Sequence, residues 1–600
     1  MPNPRLLTCF TVGGLFAVSG SVLALEAGDE GGDTGGVCDP ANQPWIYPVE
    51  AEHIHEVDSW ARFAWDGFIA LNWPQLDGGQ PGEPDTSTTL CESPDARPAF
   101  LQWMQKTQLL LEGGANPGTW AEPNYTTPMY APPGGGPELP LLGALSKTSD
   151  PNLIDEFDEA FSRRPLIDQD GNYVLFQIFL NKSEFEYFSQ NGYYDAVNQF
   201  QAFQPGGHFR PFPDNGEPDN FHPEVVLEDW ARQGAIELKA SWKQLNEEEI
   251  ASNRFFMQDV YFASNISASD PPCGPVKVGL VGLHVLQLTP STGSTWFWAT
   301  FEQIDNVEVP EDHPTGKPSF NPGPNGHDGQ CPPPPDGYYD GYTCNAGACT
   351  EAQPSSDTGD CPPQAPASGV LPNVCDTDPS KAVNVSRIPQ MAIPSNIEAI
   401  NQEYRSQLPA PWRYYQLLNT IQPMENGPCC VPPISTHTVN TCYMTNVTME
   451  TYTQYYDFID LPKCSLQTGT MSMNCTDCHA VAMPQGAPKY EDTPYPDPSY
   501  QVFSFMLNNA DSSCPADFNH DREVDGLDLA ILLGAWGSKD RYVDMDESGK
   551  VDATDLTIFM GDWGPCLVPN ETGRSGESSG RTTKEDEAAL RRYLDALQRE

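Results

Sequence analysis

Around residue 475 the chain reads MSMNCTDCHAVAMP (471–484). Cys475 and Cys478 stand three apart, and His479 follows directly. Thiols at this spacing can clip a metal, cycle as a redox pair, or add to the vinyl groups of a haem whose iron takes the adjacent imidazole. Zinc wants a second ligand pair of similar spacing, but Cys429 and Cys430 are adjacent instead. A thioredoxin-like pair wants a strand before it and a helix after it, and GTMSMN is a poor strand. Covalent haem attachment needs one helical turn that sets both sulfurs along the porphyrin edge and the histidine beneath its centre. The motif is therefore read as haem c attachment through Cys475 and Cys478, with His479 as proximal ligand. A structural disulfide or a metal clip is the alternative.

The sixth ligand is less constrained. Met483 is four residues past His479, a reach of at most about 14 Å when extended, nearly all of it used in rounding the porphyrin edge. Met506, in FSFML, has the slack to return over the distal side and is the first candidate. His284 is another, because in VKVGLVGLHVLQL it shares a strand face with Val276, Val278, Leu280 and Leu286. A buried, hydrogen-bonded histidine is the plainer reading of His284. An open or water-bound distal position is a further alternative.

A second constellation lies further on. DFNHDREVDGLDLAILLGAWG (517–537) and DMDESGKVDATDLTIFMGDWG (544–564) align without a gap, 27 residues apart. Oxygen donors at loop positions one, three, five, seven, nine and twelve wrap a cation of calcium's size. The first loop offers Asp517, Asn519, Asp521, the carbonyl of Glu523, Asp525 and Asp528. The second offers Asp544, Asp546, Ser548, the carbonyl of Lys550, Asp552 and Asp555. Arg522 takes the place of the turn glycine that Gly549 keeps, so the first site is expected to bind more weakly. Each loop runs into an apolar helix ending in Gly-x-Trp-Gly, and the two helices should pair.

Composition limits what else the chain can do. Lys and Arg total 31 against 83 Asp and Glu, a formal charge of −52, which repels phosphate backbones and anionic lipid heads. Nucleic acid is excluded as a partner; a basic redox partner or divalent cations suit this surface. MPNPRLLTCFTVGGLFAVSGSVLA reads as a secretory signal peptide cleaved after Ala24. No later run is apolar enough to span a bilayer, so the mature protein is expected to be exported, whether periplasmic, cell-surface or secreted. With Cys9 in the leader and two cysteines on the cofactor, 14 remain, an even number compatible with disulfides in an oxidising compartment.

These sites must be positioned by the rest of the chain, which reads as α+β. Residues 25–49 are an acidic, Gly-rich linker expected to be disordered, and 50–306 a mixed domain. Within that domain VDSWARFAWDGFIALNW and RPAFLQWMQKTQLLLEG are predicted helices, the second stopped by Gly113-Gly114. YVLFQIFLN, AIELKASWKQL, RFFMQDVYFA, VKVGLVGLHVLQL and TWFWATFEQ are predicted strands. Residues 307–384 are a Pro/Gly/Cys-rich insertion stapled by its cysteines, and 385–510 a mostly helical haem segment. A small two-helix calcium module fills 514–566, followed by a Ser/Gly-rich linker (567–583) and an amphipathic helix (584–600).

Several stretches resemble a group of exported bacterial proteins of the cytochrome c family: FAWDGFIALNWP (63–74), IELKASW (236–242), VGLVGLHVLQLT (278–289), WFWATFEQIDNV (296–307), METYTQ (449–454) and the CTDCH motif itself. The resemblance covers roughly residues 50–510 and implies a haem without implying a reaction. The calcium repeat resembles a dockerin type I module, with Cys514 and Cys566 placed to clasp its ends. That likeness implies calcium and a cohesin-like or surface partner. Loop positions ten and eleven, often Ser-Thr in dockerins of cellulose-degrading complexes, are here Gly526-Leu527 and Ala553-Thr554. The first expectation is thus a monohaem c-type cytochrome transferring electrons, carrying a calcium-binding tail. A haem peroxidase or oxygenase, and a complex-associated binding protein recruited through the dockerin-like module, are the alternatives.

Overall fold

The computed structural model describes residues 36–142, 166–307, 318–320, 392–450 and 475–566, apart from short gaps within these ranges. The stretches expected to be the signal peptide (1–24), the Ser/Gly-rich linker (567–583) and the C-terminal amphipathic helix (584–600), with most of residues 307–384, lie outside the described residues. The fold is α+β. One sheet runs in the order β1 (Met104–Gln105), β4 (Leu175–Leu180), β5 (Ile236–Gln244), β7 (Cys273–Gln287), β6 (Met257–Phe262), β3 (Leu139–Leu142) and β2 (Met129–Tyr130). Strands β8 (Phe297–Gln303) and β9 (Tyr415–Ile421) extend it from β7. Only β3 and β6 pair in parallel; the other ladders of this sheet are antiparallel.

Strand β7 organises the sheet because it is long enough to pair three times. One edge runs along β5 from Gln287 to Val278. The other is divided, residues 273–279 pairing with β6 and 282–287 with β8. The five strands predicted from β-branched and aromatic runs are all present, as β4 to β8.

Helix α1 (Val57–Asn72) also forms where its spacing places it. Phe63 and Phe68 meet Phe297 and Phe301 of β8 at ring-centroid distances of 5.0 and 4.5 Å, contacts that add to the apolar area they bury. The other side of α1 meets α6 (Ser395–Arg405). The Trp65 indole donates to Asn401 Oδ1 at 3.0 Å, and Tyr404 Oη donates to Asp66 at 2.9 Å. Arg62 clasps Glu403 with bonds of 2.6 and 2.8 Å.

Three expectations are corrected. RPAFLQWMQKTQLLLEG is broken into a 3-10 turn (Ala99–Gln102), β1 and the one-turn α2 (Lys106–Leu109). Met104 and Gln105 pair with Leu180 and Phe179, and Phe100, Leu109 and Leu110 reach the core without a continuous helix. Residues 36–49 are ordered: Cys38 is bonded to Cys91, Trp45 packs on Trp73 at 5.7 Å, and Tyr47 is buried. Residues 385–510, expected as a mostly helical segment, supply α6 and β9, and β9 pairs with β8 as part of the main sheet. The aromatic runs that looked like a second unit complete the first. Of the insertion, Val307 and residues 318–320 are described, Ser319 and Phe320 tied by their N–H groups to the carbonyls of Asp305 and Asn306.

Because α1 covers one face of β8, the alternating residues face the other way. There Trp298 meets His479, Thr300 Oγ1 accepts from Asn446, and Glu302 accepts from the Val447 N–H. Pairing carries this face through His284 of β7 to Lys239 of β5. Gly282 lies between them at a close approach: a Cβ there would stand 2.3 Å from Thr448 Oγ1, which is bonded to Ser241 at 2.7 Å. Among the described residues no helix is long and apolar enough to cross a membrane.

Candidate functional site

The calcium repeat folds as two capped helices, α8 (Gly526–Gly534) and α9 (Ala553–Gly561). Asp525 Oδ1 accepts from the Leu527 N–H at 2.7 Å, while Asp528 Oδ2 accepts from the Asp525 N–H at 2.9 Å. Asp552 and Asp555 repeat the pair at 3.0 and 2.6 Å. This reciprocal box satisfies otherwise orphaned N–H groups and fixes the rotamers at loop positions nine and twelve. At position five of the second loop the Ser548 N–H bonds Asp544 Oδ1 at 3.1 Å. Asp528 and Asp555 are fully buried, Asp517 and Asp544 nearly so. Carboxylates at that depth are costly without compensating positive charge, which a divalent cation wrapped by oxygens supplies. Glu523 and Lys550 are also placed, whereas Asn519, Asp521 and Asp546 lie outside the described residues.

The Gly-x-Trp-Gly endings cross-link the loops. Val524, at position eight of the first loop, pairs with Gly564 at the end of the second repeat. Val551 makes the equivalent bonds, accepting from the Gly537 N–H at 2.8 Å and donating to the Ser538 carbonyl at 3.0 Å. Gly537 and Gly564 have φ of 77° and 128°, a region L side chains rarely adopt. Each repeat therefore closes the other's loop about an approximate two-fold axis. Phe518, Val524, Leu532, Val543, Val551 and Phe559 pack into a small core separate from that of the main sheet, and a Cys514–Cys566 disulfide joins the ends as expected. Those sulfurs lie near Asp517, but being bonded to each other they offer no thiolate to an ion.

The α+β body contributes to this core. Val197 of α4 (Ala196–Ala202) belongs to it, and Asp195, which caps α4 through the Val197 N–H at 3.0 Å, also accepts from the Ser513 N–H at 3.2 Å. The module sits against the α+β body. It leaves Leu527, Ile531, Trp536 and Ile558 exposed, Leu527 by 62%.

Cys475 to His479 form one helical turn, α7. Cys475 packs half-buried against the main core; the side chain of Cys478 lies outside the described residues. His479 Nδ1 bonds the Phe503 carbonyl at 2.7 Å. Since a carbonyl only accepts, the proton sits on Nδ1, which leaves the lone pair on Nε2. Burial pushes the imidazole pKa down to about 4, opposed by the Phe503 carbonyl and assisted by Lys239 and His284. Trp298 and Phe505 flank the ring at 4.6 and 4.8 Å. Phe503 holds its carbonyl there from a left-handed backbone, φ 55°, a conformation a bulky residue adopts only where surrounding contacts hold it.

The two candidate sixth ligands are placed differently. Met506 is buried in the turn that follows Phe503, so it belongs to the segment gripping the Nδ1 edge of the ring. His284 Nε2 is bonded to Glu450 Oε1 at 2.6 Å. Burial alone would raise the Glu450 pKa, but the charge and hydrogen bond of His284, with Lys239 and the Asn446 N–H, hold it below the usual carboxylate range.

Sequence reasoning passed over the acidic residues beneath this turn. Glu184 of α3 (Lys182–Asn191) and Glu237 of β5 are 0% and 7% exposed and close enough for each to feel the other's charge, with Ser504 bonding Glu237, while neither carboxyl oxygen of Glu184 has a hydrogen-bond partner. Burial pushes Glu237 up to about 7 and Glu184 well above the usual carboxylate range. In IELKASW the alternation of Glu237, Lys239 and Ser241 was the available signal, but it reads equally as a solvent face.

No curated protein and no solved structure matches the chain. Residues 515–561 match the family described as Dockerin type I domain, a match lying wholly within the C-terminal module. With its two in-register loops, capped helices and closing disulfide, the segment 515–561 is a dockerin type I domain, a module of the calcium-binding kind.

Proposed function

We propose that this chain is an exported protein whose α+β body is fastened, through its calcium-dependent dockerin, to a cohesin-type partner in a surface or multiprotein assembly. Dockerin domains bind cohesins, and the observation that carries the reading is the apolar surface left uncovered on α8 and the turn that follows it. Leu527, Ile531 and Trp536 are 62%, 38% and 47% exposed, in a chain whose formal charge of −52 otherwise favours solvation. Exposed apolar groups gathered in this way mark interaction surfaces. The corresponding positions of α9 carry Thr554, Ile558 and the half-buried Trp563, which makes α8 the stronger face. The ligands proposed for the ions are the donors at positions one to twelve of each loop, from Asp517 to Asp528 and from Asp544 to Asp555. Capture of the chain on immobilised cohesin domains, with calcium and with chelator, tests the reading. Retention only in calcium supports it, and equal behaviour in both overturns it.

A second reading concerns the body: that Cys475 and Cys478 hold haem c, with His479 as proximal ligand. One observation favours it. The one-turn helix and the Nδ1–H bond to Phe503 fix the imidazole with Nε2 as its donor atom, the outer-shell support that metal-ligating histidines use. Bound there, a haem would supply one-electron chemistry. The chain's own residues orient the imidazole, keep it neutral by burial, and place Trp298 and Phe505 against it. The acidic surface then suits a basic redox partner. Oxidised and reduced absorbance spectra of the exported protein test this: a thioether-haem α-band supports electron transfer, its absence removes the reading, and rapid change with peroxide replaces it by haem-enzyme chemistry.

A further inference from the structure

Helix α4 touches both the calcium module and the segments that hold the CTDCH turn. It has seven residues, too few to be stable alone in water, so its order comes from what packs on it. Val197 and Gln199 are two positions apart, about 200° around the helix axis, and point opposite ways. Toward the dockerin, Val197 is 8% exposed and belongs to the core built from Phe518, Val524 and Phe559. The capping oxygen, Asp195 Oδ1, takes the Val197 N–H at 3.0 Å and the Ser513 N–H at 3.2 Å. Ser513 in turn adjoins the Cys514–Cys566 disulfide.

Toward the CTDCH turn, the fully buried Gln199 uses both ends of its amide. Nε2 donates to the Tyr193 carbonyl at 2.6 Å, and Oε1 accepts from the Gln485 N–H at 2.9 Å. Phe200 lies against Gly486, where a Cβ would stand 2.5 Å from its ring. Phe203, the C-cap of α4, meets Tyr500 edge-on at 5.0 Å. These contacts fall on the two stretches that hold His479. In the first, the Ala482 N–H returns to the His479 carbonyl at 2.9 Å. The Met483 N–H and the Gln485 side chain both bond Asn508, at 2.9 and 2.8 Å. In the second, Gln501 bonds the Ala480 carbonyl at 3.2 Å and Phe503 takes the imidazole Nδ1–H.

Two sites are coupled when one element's order depends on both, and α4 is placed as such an element. With the calcium loops filled, the dockerin core is closed and holds Val197 and Ser513. With the loops empty that small core loosens, Val197 loses its cover and Asp195 its second partner. A seven-residue helix then has little left to order it, and Gln199, Phe200 and Phe203 no longer brace 482–487 and 500–503. We propose that calcium bound in the dockerin governs, through α4, how firmly the CTDCH turn and its histidine are held, within a sheet that stays intact. The coupling is reciprocal: whatever orders the CTDCH turn raises the calcium affinity by the same factor. The proposal rests on calcium filling the loops, and is independent of any cohesin or haem.

Amide hydrogen exchange of the full-length protein, with calcium and after chelation, tests this by mass spectrometry. Peptides covering 515–561 report calcium binding itself, those covering 196–202 and 482–487 report the coupling, and those covering α1 and β9 are the reference. Chelation is expected to speed exchange about tenfold or more in 196–202 and 482–487 while the reference stays unchanged. In Asp195→Ala/Val197→Ala, which cuts α4 from the dockerin, 515–561 should still respond to calcium and 482–487 should not. The comparison on the unsubstituted protein stands even if that variant folds poorly. A response confined to 515–561 overturns the coupling alone, and no response anywhere overturns it together with calcium binding. A 482–487 response as large in the double variant as in the unsubstituted protein overturns α4 as its carrier.

Discussion

His479 and Phe503, 24 residues apart in sequence, are joined by a 2.7 Å bond from imidazole Nδ1 to a main-chain carbonyl. The bond decides which nitrogen of the ring is the donor atom, and it depends on Phe503 keeping a left-handed backbone. Under the haem reading the exported protein is heavier than its processed polypeptide by one haem, and Cys475→Ala/Cys478→Ala is not. Intact mass spectrometry measures both. A mass for the exported protein equal to that of its bare processed polypeptide removes the cofactor.

Calcium withdrawal should unfold the dockerin and spare the body. The two helices are short and their core small, so ions supply part of the folding free energy. Chelation is expected to abolish a calcium-dependent thermal transition while leaving the main one in place, followed by calorimetry. Asp555→Ala should lower calcium affinity by at least about tenfold, and Asp528→Ala should cost less because the first loop, with Arg522 at its turn, binds more weakly.

Asp195 joins body to module by capping α4 and accepting from Ser513. Asp195→Ala is expected to destabilise by about 1 kcal/mol through the lost cap and to make the junction near Ser513 more susceptible to protease. Limited proteolysis with mass mapping checks this, and an unchanged cleavage pattern means that the bond does not restrain the module.

The Glu184–Glu237 pair makes stability depend on pH in a defined direction. Glu237 is raised to about 7 by burial, so the native state holds more protons than the unfolded chain between the ordinary glutamate value and about 7. Stability is therefore greatest at the acid end of that window and falls as pH rises through it, by an amount on the order of 3 kcal/mol. Glu184, also raised well above the ordinary glutamate value by burial, contributes with the same sign. Urea unfolding from about pH 5 to about pH 8 should show this slope, and Glu237→Gln should flatten it; an identical slope in the variant rules out the pair as its source.

Some of this was legible in residue types alone. Five strands and α1 follow from β-branched runs and three-and-four spacing, because period and side-chain shape are local properties. The calcium loops follow from a 27-residue repeat of oxygen donors, since wrapping a cation needs only consecutive positions of one loop. The Cys514–Cys566 clasp follows in the same way from its place at the ends of that repeat.

What lay beyond the sequence depends on which distant surfaces meet. RPAFLQWMQKTQLLLEG has helical spacing, but pairing with β4 takes Met104 and Gln105 out of it. Glu237, Lys239 and Ser241 have the alternation of a solvent face, and only the 444–450 and 475–510 segments folding over them make that face interior. Trp103 packs so closely on the backbone of Gly82, a residue distant in sequence, that a Cβ there would stand 2.5 Å from its Nε1. Local spacing set the elements and the ion loops; the burial of polar groups, and hence their chemistry, was decided by long-range packing, which a linear pattern does not encode.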